Sequence, residues 1–546
     1  MGIPTYFSHI VKKHRKIIKK ISEIKTIDNL YLDANSIIYD AVHALEYNEN
    51  NKTKYETSII IAVCKKIDYY IETIKPKKKV FIAFDGVAPF AKIKQQQKRR
   101  YLNWFNQQLM NSLQKDREPL QKWNTASITP GTLFMQALSA KLLIYFGKNN
   151  TYTNLDIIVS TANDPGEGEH KIYEYIRENA EYHKNTTTLI YGLDADLIML
   201  TLTHLHISNK IYLYRETPHF IQTIDKTLDP NQSYLIDIPL FAERIVKELS
   251  IKELDQNKLN QNKLDQNKLD QNKLDQNKLD QNKLDQNKLD QNKLDQNKLH
   301  DYIFMCFLLG NDFLPHFPAL NIRTNGIENL ITVYLQLFSN DQIGLINNDK
   351  NIVWKNVRKL IDYLAQHEQD YIQAEYKIRN KQEKNIQTNQ KEDLENELLT
   401  LPLKDRAVEH FINPFDVDWE SRYYNVLFDI ENILPEREKE ISLNYLEGLE
   451  WTFAYYTTGC LDWRWTYKYS YPPLLKDLKK YVPHFEVNFI KKCEKNPISI
   501  IEQLNYVLPK EIKKDLIATS EIIKLDEKKN KIKWAFCKYL WEAHID

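Results

Sequence analysis

The chain has 546 residues, 42% of them apolar, and Lys+Arg 75 against Asp+Glu 74 leaves a net charge of +1. That length exceeds what one hydrophobic core serves, so two regions are expected, and the charge balance excludes a global field drawing the chain to nucleic acid; such binding must come from local patches. Five scattered cysteines, Cys64, Cys306, Cys460, Cys493 and Cys537, form no Cys-x-x-Cys pair, which argues for reduced thiols inside a cell and against a zinc site or disulfide framework.

Taken in order, the chain opens on Met1-Gly2-Ile3-Pro4-Thr5-Tyr6, which has no signal-peptide apolar core, and Gly2 lacks the Ser or Thr that myristoylation needs. No run approaches a membrane span. A basic run, Lys12-Lys13-His14-Arg15-Lys16 with Lys19 and Lys20, reads as an exposed helix face. Leu30-Tyr31-Leu32-Asp33 is a short apolar strand ending on a carboxylate, and Ile37, Ile38, Ala41, Val42 and Leu45 follow at helical spacing. Val80 to Gly86 repeats this arrangement around Asp85. Leu155 to Ser160 leads through a loop to Glu167, Glu169 and His170 at the head of an amphipathic helix. Leu189-Ile190-Tyr191 stops at Gly192 and delivers Asp194 and Asp196 where the chain turns into another helix. A seventh acid, Asp312, follows the apolar helix Tyr302 to Leu309 and Gly310-Asn311.

Strands alternating with helices predict an α/β fold, a mostly parallel twisted sheet with helices on both faces. Open sheets of this kind place their sites at the carboxyl edge, which would gather Asp33, Asp85, Glu167, Glu169, Asp194 and Asp196, with Asp312 as a further candidate. Taken alone, Asp194 and Asp196 read equally well as a helix N-cap and a first-turn acid. The repetition of the pattern favours chemistry, because so many carboxylates in one cleft repel one another without counter-ions. Two Mg²⁺ or Mn²⁺ ions offset that repulsion, suit an all-oxygen ligand set and create a site for phosphodiester cleavage. His170 reads as a helix-surface residue or a partner of a ligand, not as a ligand itself. After Asp85, Lys92, Gln96, Arg99 and Arg100 fall at i, i+4, i+7 and i+8 of a helix and present several donors to one anion. A solvated basic face is the usual reading of such a run, but the acidic strand end just before it favours phosphate.

Leu254 to Lys298 repeats the pentad Leu-Asp-Gln-Asn-Lys with one departure at Asn260. A five-residue period gives Leu no continuous helical stripe and alternates strand faces, so the tract is expected to be a surface insertion with no catalytic part, disordered in preference to a lone solvated helix held by Asp three residues before Lys. A second interruption, Tyr376 to Thr400, reads as a solvated helix or linker. The expected domains are therefore 1–340, a nuclease domain carrying the 254–298 insertion; 341–400, a charged helical linker; and 401–546, a mainly helical, aromatic-rich second region. Its aromatics cluster in Trp419 to Tyr424, Tyr445 to Tyr456 and Trp463 to Tyr471, and they could cover the acidic edge. A pocket closed at its back admits a free end and excludes an internal strand, which is the basis of exonuclease action.

The motifs Met1 to Pro4, Leu32-Asp33-Ala34-Asn35, Phe84 to Pro89, Pro165 to Lys171, Gly192 to Asp196 and Gly310 to His316 resemble, in sequence and in order, those of the XRN-type 5′→3′ exoribonucleases. Trp451 to Tyr456, Gly459 to Trp465 and Glu502 to Pro509 resemble that family's second conserved region. The resemblance implies a PIN/flap-nuclease-like core in which the seven acids hold two metal ions, while Lys92, Gln96, Arg99 and Arg100 hold the 5′-monophosphate of single-stranded RNA. Where the family usually has a His that stacks on the 5′-terminal base, this chain has Tyr39, which can stack but cannot be cationic. Trp463 and Trp465 are the candidates for the opposing stack. No Cys/His knuckle of the kind some nuclear members carry is present, and the chain ends at Asp546 without the extra C-terminal domains of long cytoplasmic members. An intracellular, cytoplasmic rather than nuclear location and no obligate protein partner are expected. The expected function is a 5′→3′ exoribonuclease that releases nucleoside 5′-monophosphates by two-metal hydrolysis. One alternative is a flap-endonuclease-like DNA nuclease, although Asp312 is followed by Phe-Leu-Pro-His-Phe-Pro where that group has a Gly-rich duplex-binding hairpin. The other is a catalytically inactive RNA-binding scaffold, disfavoured because all seven acids are intact.

Overall fold

Alternating apolar residues build the strands, and that alternation decides which helices cover which face. The computed structural model describes residues 5–47, 51–113, 123–147, 151–215, 228–229, 232–250, 295–339, 343–388, 406–431, 433–491 and 496–516. Its strands are β1 (Ile18–Lys20), β2 (Asn29–Asp33), β3 (Lys79–Ala83), β4 (Asp156–Ser160), β5 (Thr188–Tyr191), β6 (Ile211–Tyr214) and β7 (Tyr234–Ile236). They form one sheet in the order β1-β7-β6-β5-β2-β3-β4. The five strands from β6 to β4 are parallel, and β7 and β1 extend the β6 edge antiparallel to their neighbours. The expected α/β sheet is thus present, with β2 to β5 where the apolar runs predict them.

The faces sort by residue parity. Tyr31, Phe81, Ala83, Ile190 and Leu213 point to one core with the helices Gly168–Glu178, Asp196–His204, Ile238–Glu248 and Gln296–Phe307. Leu30, Leu32, Val80, Ile82, Leu189 and Tyr191 point to the other, with the helices Asn35–Ala44, Lys52–Ile74 and Leu133–Tyr145.

Three sequence expectations change. The basic run is not one exposed helix face: Lys12 and Lys13 end the Tyr6–Lys13 helix, Arg15 and Lys16 lie in a 3₁₀ turn, and Lys19 and Lys20 sit on edge strand β1. Lysines on an edge discourage pairing with another chain. The stretch 341–400 is no mere linker, since Trp354, Val357, Leu360, Ile361 and Leu364 of the Trp354–Gln366 helix are buried in the first core. In the Glu368–Thr388 helix Arg379 is buried and its Nε lies 3.2 Å from Glu409 Oε1, so that face is packed, not solvated; 389–405 lie outside the described residues. Third, the pentad tract is described only at its end, where Asp295 caps the Gln296–Phe307 helix by accepting from Lys298 N–H at 3.2 Å. Its last pentad is therefore structural.

The first core runs without a break into the second region. The Pro435–Thr457 helix lies along both Asp196–His204 and Gln296–Phe307, with Phe307 against Tyr456 at 5.1 Å and Phe313 against Trp451 at 5.0 Å between ring centroids. Cys64, Cys306 and Cys460 are free thiols, and Cys493 and Cys537 lie outside the described residues. No described helix is long and apolar enough to cross a membrane.

Candidate active site

The sheet order reverses between β5 and β2, and the crevice outside their carboxyl ends is where a doubly wound sheet places its ligand. Asp33 is the last residue of β2, Asp85 lies two residues past β3, and Asp194 and Asp196 follow β5. Glu167 is the N-cap residue and Glu169 is in the first turn of the Gly168–Glu178 helix. Asp196 is an acid in the first turn of the next helix, as the alternative reading has it, but the N-cap is Ala195 with no side-chain cap, so Asp194 is not the capping residue.

Local backbone chemistry brings the acids close. A Cβ on Gly168 would sit 2.6 Å from Asp33 Oδ1, so only glycine lets this helix start approach β2. Gly168 N–H donates to Asp85 Oδ1 at 2.7 Å, and the Asn35 amide donates to the other Asp85 oxygen. Asp312 is presented by a tight turn: Asn311 Oδ1 accepts from the N–H groups of Phe313 and Leu314, each at 2.9 Å, beside Gly310 at φ +84. The result is two groups of ligand atoms, each within 4.8 Å of one another: Asp33, Asp85 and Glu169, and Glu167, Glu169 and His170.

Among the described residues, the buried cation Lys92 lies within this cluster. Lys92 Nζ is 2.5 Å from Glu167 Oε2 and also contacts Asp312, whose other oxygen accepts from Gln95 Nε2 at 3.0 Å. Tyr455 donates its hydroxyl to Glu167 Oε1 at 3.1 Å, and the Tyr456 hydroxyl bonds to Asp196.

Burial raises the carboxyl groups of Asp33 and Glu169 well above the usual range, neighbouring acids adding to it. Asp196 is pushed up to about 7, again chiefly by burial. Burial would raise Asp312 too, but the Lys92 ammonium overrides it and holds that group low. Asp33 Oδ1 and Asp196 Oδ1 are buried with no hydrogen-bond partner among the described residues. Buried oxygens without donors, among repelling acids, form a donor set that fits a hard divalent cation.

A cleft of about 490 Å³ opens over the cluster. Its lining carries Asp33, Asp85, Glu167, Glu169 and Asp194. It also carries Lys92, Gln96, Arg99, Arg100 and Asn103 from the Phe90–Leu113 helix, with Ser36, Tyr39, Asp40 and His43 from one face of the Asn35–Ala44 helix. Asp196 and Asp312 adjoin the cluster through Tyr456 and Lys92. The four phosphate candidates share the cleft, but the Lys92 ammonium is engaged by acids, whereas Gln96 Oε1 and Arg100 Nε are buried without partners. The second region braces this helix: Lys94 donates to Tyr467 O at 3.0 Å and Gln97 to Tyr506 O at 2.8 Å.

Of the stacking candidates, Tyr39 lines the cleft and is 37% exposed. Trp465 does not line it: the residue is buried and stacked on Trp451 at 5.2 Å and 22°. Trp463 is half-buried, its carbonyl accepting from Phe90 N–H at 2.9 Å, and is not part of the cleft wall either. Aromatic spacing alone could not separate core from platform. Sequence reasoning also missed an aromatic ladder: Trp465 stacks on Trp451, Trp451 on Tyr455 at 4.9 Å, and Tyr455 on His170 at 3.7 Å. Its signal was the Trp451 to Tyr456 segment. Gln95 was missed because only its neighbours fitted the basic stripe.

Two family models match the chain: the XRN 5′-3′ exonuclease N-terminus over residues 1–217, and the Xrn1 helical domain over 291–410 and 403–532. The 5′-3′ exoribonuclease 2 homolog of Drosophila melanogaster is 27% identical, over 93% of this chain and 64% of that protein. The 5′-3′ exoribonuclease 2 of Arabidopsis thaliana is 26% identical, over 93% and 61%. The 5′-3′ exoribonuclease 1 of Saccharomyces cerevisiae is also 26% identical, over 94% and 39%. The chain thus spans between about two fifths and two thirds of the length of these relatives. Among solved structures, the catalytic core of Rad2 in complex with DNA substrate matches 84% of this chain and 96% of its own at 13% identity, with a TM-score of 0.32, too low to carry any argument.

Proposed function

The chain belongs to the XRN 5′-3′ exonuclease family, and from that premise we propose that it is a metal-dependent 5′→3′ exoribonuclease acting on single-stranded RNA with a 5′-monophosphate. The observation that carries this reading is the cleft itself, which is lined at once by five acids and by Gln96, Arg99 and Arg100. Divalent ions, when bound, supply an activated water and stabilise the leaving oxygen. Asp33, Asp85, Glu167, Glu169, Asp194, Asp196 and Asp312 would hold them. Arg99, Arg100 and Gln96 give charge-assisted and neutral donors to the terminal phosphate, and Tyr39 offers a face to the first base. Tyr455 and Tyr456 fix the carboxylates they touch, while Lys92 offsets charge that the acids would otherwise direct against the phosphate.

The test is a rate comparison, with Mg²⁺, of RNAs bearing a 5′-monophosphate, a 5′-hydroxyl or a 5′-triphosphate, alongside a circular RNA. Two charge-assisted hydrogen bonds of about 1.5 kcal/mol or more each predict roughly a hundredfold preference for monophosphate over hydroxyl. Equal rates on both ends, or cleavage of the circle at a similar rate, would replace this reading with an endonuclease.

A further inference from the structure

The two groups of metal-capable residues share Glu169 but differ in chemistry. Asp33, Asp85 and Glu169 offer oxygen alone, whereas Glu167, Glu169 and His170 add an imidazole nitrogen. Building on the metal-dependent reading, we propose that the Glu167, Glu169 and His170 end is a mixed nitrogen-oxygen position that takes a first-row transition ion such as Mn²⁺ in preference to Mg²⁺.

His170 is 7% exposed, and its ring makes no hydrogen bond among the described residues. An imidazole without one keeps a nitrogen lone pair open to an incoming ion. Its face is held by Tyr455, stacked at 3.7 Å and 19°, and its edge by Tyr456 at 89°. Stacking occupies one ring face and leaves the in-plane lone pair of a neutral imidazole free, with a ring nitrogen within 4.8 Å of carboxylate oxygens of Glu167 and Glu169. Glu169 has no hydrogen bond or ion pair of its own among the described residues. Glu167 already meets Lys92 and the Tyr455 hydroxyl, but each carboxylate oxygen has a second lone pair. Nitrogen donors shift a site's preference toward transition ions, whereas Mg²⁺ favours oxygen. The proposal departs from the sequence reading of His170 as a non-ligand because Tyr455 and Tyr456 hold the ring beside the two carboxylates.

Pulsed electron paramagnetic resonance of Mn²⁺ bound to the full chain tests this. Direct ¹⁴N coupling is expected, converting to ¹⁵N coupling in protein labelled with ¹⁵N-histidine. His170→Gln should lose the nitrogen coupling and bind Mn²⁺ roughly tenfold more weakly or worse, with Mg²⁺ binding little changed. Mn²⁺ bound without nitrogen coupling, or coupling that persists in His170→Gln, overturns the inference and leaves the exoribonuclease reading standing on its RNA assay. A chain that binds no Mn²⁺ overturns this inference and the metal-dependent reading together. Should His170→Gln not fold, His43→Gln decides, since His43 is a histidine that lines the cleft: nitrogen coupling that survives in His43→Gln belongs to His170, and coupling lost there overturns the inference.

Discussion

Lys92 Nζ lies 2.5 Å from Glu167 Oε2, with both side chains nearly inaccessible to solvent. In this structure the ammonium pairs with Glu167 and Asp312 of the acidic cluster, whereas its place in the basic stripe suggests an arm of the phosphate clamp. Removing one partner of a buried pair costs about 3–5 kcal/mol because the other charge is left uncompensated. Lys92→Met should therefore lower the thermal midpoint measured in chelator, and added Mn²⁺ should restore part of the loss. An unchanged midpoint in chelator would show that the pair contributes nothing.

Asp196→Asn should abolish RNA cleavage without unfolding the sheet. The Asp196 carboxyl is pushed up to about 7, so its ionised form costs stability above that pH. At pH 8 the neutral amide is expected to leave the melting temperature equal to or above wild type. Retained turnover would remove Asp196 from the site.

Arg99→Ala with Arg100→Ala should bring the rate on monophosphate RNA down toward that on hydroxyl RNA and change the hydroxyl rate little, because the lost donors serve a group the hydroxyl end lacks. Parallel losses on both substrates would assign the pair to general backbone binding instead.

Glu368 offers a pH test far from the cleft. It is buried, accepts from Leu475 N–H at 2.7 Å and Lys476 N–H at 3.0 Å, and burial still pushes its carboxyl up to about 8. The folded state holds a proton that the unfolded chain, at about 4.5, releases, so this group's contribution to stability falls as pH rises between about 4.5 and 8. Glu368→Gln should flatten the decline of unfolding free energy across that window, by on the order of a few kcal/mol in total, as denaturant melts at several pH values would read it. Identical slopes would mean the carboxyl titrates normally.

Replacing Leu254 to Leu294 with a Gly/Ser linker should leave activity within a fewfold, since loop length carries only a shallow entropic cost. Extending the deletion through Lys298 removes the Asp295 cap and should cost about 0.5–2 kcal/mol more. Denaturant melts of the two deletions give the comparison, and equal stabilities would deny the last pentad its structural part.

The sequence by itself determined which residues carry charge and where the central strands end, because hydrophobic alternation and Gly punctuation are local signals that survive folding. Leu30 to Asp33, Val80 to Asp85 and Leu189 to Asp196 were legible for that reason, and with them the acidic edge. What only the tertiary structure decided is which charges and rings meet. Lys92 and Asp312, 220 residues apart, touch because the Gly310–Asn311 turn and the Phe90–Leu113 helix converge on the same sheet edge. Trp465 and Tyr39 look alike as aromatics in a list of residues, yet stacking on Trp451 consumes the first and leaves the second at the cleft. His170 is turned inward by rings from the second region. Periodicity assigns a residue to a face, whereas its partner is set by the packing of elements distant in sequence, whose side-chain volumes no local pattern encodes.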